Sequence, residues 1–292
     1  MEYFLIILST VLFGGQFIAL NAYQDKEGKS IQSIFFFCAL FSLVAVILFA
    51  SISLFIIGFN IYTLLLSLIA AIIQITLQIV GIKALSLGRV EVYTLFNVTG
   101  GMSVAYIFGI TYFNEPIKVT HIVGLALLLI CLLVPVIFDK KEKKKSNWMF
   151  YLFCILVFLA NGFFGAVNKI HINSNEGLGI TQYMFYVYSW ICLLSSLGFV
   201  ITYLIKKKEE KFKFNKLGIL FALIYGLVNS VGMSLQYAFA DKVPASILFP
   251  LSNGGCIVFA LIFSCLFYRK KPALKDIIQF VIAIGGMVLF FF

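Results

Sequence analysis

Apolar residues run along this chain in long, nearly unbroken blocks, such as Ile122 to Phe138 and Ile277 to Phe292. A helix that crosses the hydrocarbon of a bilayer needs roughly 20 mostly apolar residues. The pattern predicts ten such spans, at 3–22, 31–52, 61–82, 91–113, 117–138, 148–169, 180–205, 217–239, 244–268 and 274–292. Barrel strands would instead alternate polar and apolar positions in segments of roughly ten residues. In lipid every backbone N–H and C=O must be paired, and a helix does this within one segment. The expected fold class is therefore all-α, a polytopic membrane protein of ten transmembrane helices. Lys83 to Val90 joins the third and fourth spans. Asn114-Glu115-Pro116 joins the fourth and fifth, with the proline placed for the first turn of the new helix.

Composition agrees: 62% of residues are hydrophobic, 12% are charged and the mean hydropathy is +1.06. The net charge of +10 is gathered in Asp139–Lys145, Lys206–Lys216 and Arg269-Lys270-Lys271 with Lys275. Sorted by alternate loops, 19 of the 22 Lys and Arg fall on one side, leaving Lys118, Lys169 and Lys242 on the other. Short basic loops stay in the cytoplasm, which places both termini outside it and the protein in the cytoplasmic membrane. The charge is thus a topology signal, and nucleic acid is not an expected partner. The six cysteines lie in apolar spans without metal-ligand spacing and read as free thiols. Met1-Glu2-Tyr3 lacks a positive leader and opens a first span rather than a cleaved signal.

The chain also repeats itself. Leu12–Asn21 (LFGGQFIALN) aligns with Leu159–Asn168 (LANGFFGAVN) at an offset of 147, and Ala84 through Gly101 parallels Ala238 through Gly255 at an offset of 154. Residues 1–140 and 148–292 would each hold five spans. An odd number forces the second copy to enter the membrane upside down, which gives two inverted repeats with a substrate site at their interface.

The carrying motifs resemble the EamA-like family of the drug/metabolite transporter superfamily. Leu12–Phe17 is similar to a first-span WG-x-x-F element without its tryptophan. Ala84 to Gly88, the fourth span and Glu115 resemble the entry and closing Glu of the first repeat. Tyr237-Ala238, Pro244-Ala245-Ser246 and Pro250 resemble the second-repeat pattern. The resemblance spans the whole length and implies a transporter. Phe96 stands where Pro250 would have a partner, and Arg269 replaces a second closing Glu. The family's termini are usually cytoplasmic, against the charge count. Small multidrug-resistance relatives carry a first-span Glu, which is missing here, so a proton/cation antiporter of that kind is disfavoured.

Ionisable groups inside a bilayer are costly and mark function. Here the deepest acid is Glu91, a candidate for ion coupling or an interfacial partner of Arg89. Lys169 closes the sixth span and can snorkel to headgroups. The remaining polar candidates are neutral. Gln16 and Asn21 stand on span one, Gln74 and Gln78 on span three, and Asn97 on span four. Asn161 and Asn168 stand on span six, Asn229 and Gln236 on span eight, and Asn253 on span nine. An amide in hydrocarbon needs a partner or a watery cavity, so these are either glue between helices or the lining of a substrate site. Tyr186 and Trp190, four apart, belong to an interface belt or to a cage for a quaternary ammonium.

A secondary carrier is the reading these features favour, moving a small polar or zwitterionic, amino acid-like metabolite by alternating access, with export the commoner direction in the family. Alternatives are a carrier of quaternary ammonium or other organic cations, and a non-transporting scaffold. No nucleophile–base or metal pattern calls for an enzyme, metal or cofactor. The expected partners are a small-molecule substrate and the lipid bilayer. Because both halves lie in one chain, a functional monomer is expected.

Overall fold

The computed structural model describes residues 2–28, 30–88, 90–138, 148–205, 214–238, 240–267 and 274–292. The basic segments 139–145, 206–213 and 269–271, with Arg89, fall outside these described residues. Ten α-helices follow one another: α1 (Glu2–Glu27), α2 (Ile31–Ile52), α3 (Ile61–Leu87), α4 (Val90–Tyr112), α5 (Val119–Phe138), α6 (Trp148–Ile172), α7 (Ile180–Ile205), α8 (Lys216–Tyr237), α9 (Ala245–Phe267) and α10 (Leu274–Val288), which ends in a 3-10 turn at Leu289–Phe291. Eight are long and apolar enough to cross a membrane, while the apolar stretches Val119–Val134 and Asp276–Phe291 of α5 and α10 are shorter. Three starts are fixed by side-chain caps, in which Ser30, Asn60 and Asn215 accept from the amides of Ser33, Thr63 and Leu217.

Several predicted boundaries move: α1 runs on to Glu27, α6 to Ile172, and α3 to Leu87, so most of the expected link from Lys83 to Val90 is helix. α5 begins at Val119, so Pro116 lies in the link and not in the helix. Asn114 has φ of 53°, a left-handed conformation that asparagine tolerates better than most residues. The turn aims the Glu115 side chain at the start of α9.

The helices of the two halves interlace. α1 packs on α8 and α9, and α6 packs on α3 and α4. The pairs α2·α7, α4·α9 and α5·α10 also touch, as do α2·α8 and α3·α7. Adding five to each helix number, and wrapping round at ten, maps this set of contacts onto itself.

Contacts between helix ends sort the links into two groups. Glu27 at the end of α1 accepts from the Asn215 amide before α8, Gln32 early in α2 donates to Thr202 O late in α7, and Gly88 after α3 abuts Phe150 at the start of α6. These meet at what we term end A. At the opposite end, end B, Asn60 donates to Glu176 O, Lys118 donates to Phe292 O, and Tyr3 meets Phe291 edge to face. The links leaving end A are the lysine- and arginine-rich ones, whereas Lys118, Lys169 and Lys242 belong to end B.

Close helix crossings need small residues. At Gly162 an added Cβ would strike the Val104 side chain and meet Gly100 O at 2.7 Å, and at Gly100 it would strike the backbone of Phe158, so the backbones of α4 and α6 approach closely there. Gly285 on α10 has open space around it. Gly100→Ala is expected to destabilise the protein by about 1–3 kcal/mol through overpacking. Gly285→Ala is expected to be neutral or to stabilise by up to about 1 kcal/mol from helix propensity. Melting of the two variants in one detergent checks the contrast.

Candidate functional site

A cavity of about 670 Å³ lies between the halves, walled by α1 to α6 and α8 to α10. It reaches end A, where exposed Asn21, Gly28 and Thr94 form its rim. The amide pattern explains why it stays open. Gln74 and Gln78 share one face of α3, and Asn229 and Gln236 share one face of α8. Together with Gln16, Asn21, Asn97, Asn161 and Asn253 they all line this one space. Nine of the eleven candidate binding residues are thus brought together. Asn168 and Tyr186 are not among them.

The lining amides are held from behind. Asn161 Nδ2 donates to Asn97 O at 2.7 Å, and Asn253 Nδ2 donates to Phe249 O at 2.9 Å. Asn229 Nδ2 reaches Tyr188 Oη and Gln236 Nε2 reaches Ser252 Oγ, both at 2.9 Å. Gln16 Oε1 and Asn97 Oδ1 are buried without a protein partner. Asn161 and Asn253 flank Gly101, where an added Cβ would sit 2.9 Å and 3.1 Å from their side-chain nitrogens. Aromatic faces complete the wall, among them Phe13, Tyr93, Phe164, Tyr225 and Phe249. No Asp, Glu, Lys, Arg or His lines the cavity among the described residues, and no three metal-ligating side chains gather among them.

End B is closed by a buried polar layer. Asn168, fully buried, donates to Tyr237 Oη at 3.1 Å and accepts from Tyr183 Oη at 2.9 Å. His171 stacks on Tyr183 at 3.9 Å and pairs with Thr63 Oγ1 at 3.0 Å. Two ionised groups hold the segment between α8 and α9. Lys169 donates to Ala240 O and, at 2.7 Å, to Val243 O. Glu115 accepts from the amides of Ala245 at 2.5 Å and Ser246 at 2.8 Å, the first two residues of α9, where unpaired N–H groups and the helix dipole favour an anion.

Several expectations are corrected by this geometry. Lys169 does not snorkel: it is 2% exposed and its ammonium is turned inward onto carbonyls, which replace the water it would otherwise need. Asn168 serves the closed layer rather than the cavity. Tyr186 donates to Gly58 O at 2.9 Å, and neither it nor Trp190 lines the cavity, so they form no cage there. Glu91 stands in the first turn of α4, and its side chain lies outside the described residues. Glu115, Tyr183, His171 and Tyr237 were missed as site residues. Glu115 and Tyr237 entered the sequence reading only through the family resemblance, and Tyr183 and His171 only as residues near span ends, where an interfacial role is commoner.

Residues 177–292 match the model of the EamA-like transporter family, part of the drug/metabolite transporter superfamily. The resemblance seen in the sequence is borne out over that segment, and the long apolar helices agree with a multi-pass membrane protein. No curated protein matches the sequence. One crystal structure of another protein superposes with a TM-score of 0.77 over 99% of this chain and 97% of its own, at 12% identity. At that identity it shows a shared fold and nothing of the cargo.

Glu115→Ala leaves two amides of α9 without their acceptor and is expected to lower stability by about 1–3 kcal/mol. Glu176→Ala, an exposed position at the same end, is expected to stay within about 0.5 kcal/mol. Thermal melting of both variants beside the parent tests the role of the carboxylate.

Proposed function

We propose that this EamA-like membrane transporter is a secondary carrier, working by alternating access on a small polar or zwitterionic solute without net charge. Its two halves, 1–140 and 148–292, act as inverted five-helix repeats, and the cavity at their interface receives the cargo. With end A cytoplasmic by its basic loops, the cavity faces inward, and loading from that side fits export across the cytoplasmic membrane. One chain supplies both halves, so a monomer suffices.

One observation carries this reading. Asn21 and Asn168 occupy aligned positions of the two repeats, yet Asn21 is exposed at the cavity rim whereas Asn168 is 0% exposed inside the closed layer. The same residue in two environments is what a pair of repeats shows when one end is open and the other shut. Exchanging the two environments would close end A and open end B. The neutral lining supports an uncharged or zwitterionic cargo, since a buried net charge requires an opposite partner.

Binding and flux separate the parts of this proposal. In proteoliposomes, Gln78→Ala and Asn229→Ala are expected to weaken solute binding about tenfold, the scale of one lost buried hydrogen bond. Asn168→Ala is expected to leave binding within about twofold while slowing counterflow, because it acts on the closed end and not on the cavity. Equal loss of binding in all three variants, or wild-type counterflow in Asn168→Ala, would falsify the two-ended scheme.

A further inference from the structure

His171 is a buried ionisable group that takes no part in the ionic grips at end B. It is 2% exposed, in the last turn of α6 and inside the layer that closes that end. Two tyrosines stack on its ring, Tyr183 of α7 at 3.9 Å and Tyr62 of α3 at 6.0 Å. Nε2 lies 3.0 Å from Thr63 Oγ1, which also accepts from the Leu178 amide at 2.9 Å. Gly177 covers the ring edge, since a Cβ there would come within 2.6 Å of Nε2. Nδ1 is buried with no partner. The charged groups of this end are engaged elsewhere or exposed. Lys169 is bound to Ala240 O and Val243 O, Glu115 to the start of α9, and Lys118 to Phe292 O. Glu176, Asp241 and Lys242 are exposed.

A ring in this setting holds one proton and not two. Thr63 Oγ1 can donate to Nε2 or accept from it, so either neutral tautomer fits. A second proton would make a cation with one N–H aimed at no acceptor. The tyrosine faces attract a cation, but by less than it costs to take one out of water. The repeat shows where the ring stands when end B opens. The offset of 147 that pairs Asn21 with Asn168 runs on along unbroken α1 and α6 and pairs Gln24 with His171. Gln24 is part-exposed and lines the cavity toward end A. The offset of 154 pairs Thr94 with Leu248. Thr94 is exposed at the rim of end A, whereas Leu248 is 0% exposed. On the proposed exchange, His171 and Leu248 come to line an open mouth at end B. An imidazole in water takes up a proton at about pH 6.5.

We infer that His171 is a proton-binding site that opens with end B. It is neutral while that end is shut and takes a proton from the end B solution when the layer parts, so acid on that side holds the carrier open there. This rests on the two-ended carrier reading above and gives it a regulator. The exposed ring binds the proton and the buried ring does not, so the form with the exposed ring gains as pH falls through the exposed ring's range. The proton returns to the end B solution before the layer re-forms. It gates the cargo and is not itself carried across.

The test is thiol labelling of the full chain in lipid nanodiscs, where both ends meet one buffer. Leu248→Cys reports on end B and Thr94→Cys on end A. A water-soluble methanethiosulfonate is the probe, and modification is read at each residue by mass spectrometry, so the native cysteines stay in place. The ratio of labelling at the two sites removes the effect of pH on the thiol itself. From about pH 7.5 to about pH 5.5 the ratio of end B to end A is expected to rise about tenfold, the factor by which protonation of an exposed imidazole favours the form that holds it. His171→Gln is expected to hold the ratio within about twofold, whereas His121→Gln, at the chain's other histidine, is expected to keep the rise. A ratio that does not move with pH while His171 is in place would overturn the proton site, whether or not the variants fold. A rise that survives His171→Gln, or is lost equally in His121→Gln, would overturn it too. In these cases labelling of Leu248→Cys leaves the carrier reading intact. Resistance of Leu248→Cys to labelling at every pH would overturn the proton site and count against the exchange of ends as well.

Discussion

A polar side chain inside a bilayer has two stable fates, a hydrogen bond to protein or contact with water, and the architecture is organised around that choice. Each half contributes amides from its first, third and fourth helices, and the interlaced packing of α1 with α8 and α9, and of α6 with α3 and α4, turns those faces toward one another. Where they meet near the middle and at end A, some of their atoms stay unpaired with protein and a cavity remains. Where they meet at end B, Asn168, Tyr183 and Tyr237 satisfy one another and the space disappears. The open and closed ends are two solutions to the same requirement.

The helices and the lining were legible in the sequence because both depend on local spacing. The ends of α2 and α7 match the predicted spans. Gln74 and Gln78 stand one helical turn apart, and so they share whatever their face meets. Long-range pairing was not legible. Nothing near Asn168 in sequence signals that Tyr237 and Tyr183 will enclose it, whereas Asn21 in the aligned place stays exposed. Lys169 at a span end looks free to reach headgroups, and only the return of the α8–α9 segment brings carbonyls over it. Glu115 looks interfacial until the left-handed turn at Asn114 aims it at α9. These roles depend on segments far apart in the chain, and a periodic pattern carries no information about them.

The two ends also differ in chemistry, with a consequence for the proposed exchange. End B is held by two charge-assisted grips on the α8–α9 segment, from Lys169 and Glu115. Bonds of this kind are stronger than those between neutral partners. The repeat places Ala22 opposite Lys169 and Arg269 opposite Glu115. Alanine has no donor for a loop carbonyl, and arginine has no acceptor for the free amides of a helix start. End A therefore cannot be shut by the same bonds when the halves exchange. On the proposed exchange, the balance without cargo would lean toward the form closed at end B. A ligand moves such an equilibrium only by binding the other form more tightly. In the proposed carrier the cargo itself, by bonding to the polar groups of the cavity as the walls close round it, would supply what the missing pair of ionic grips does not.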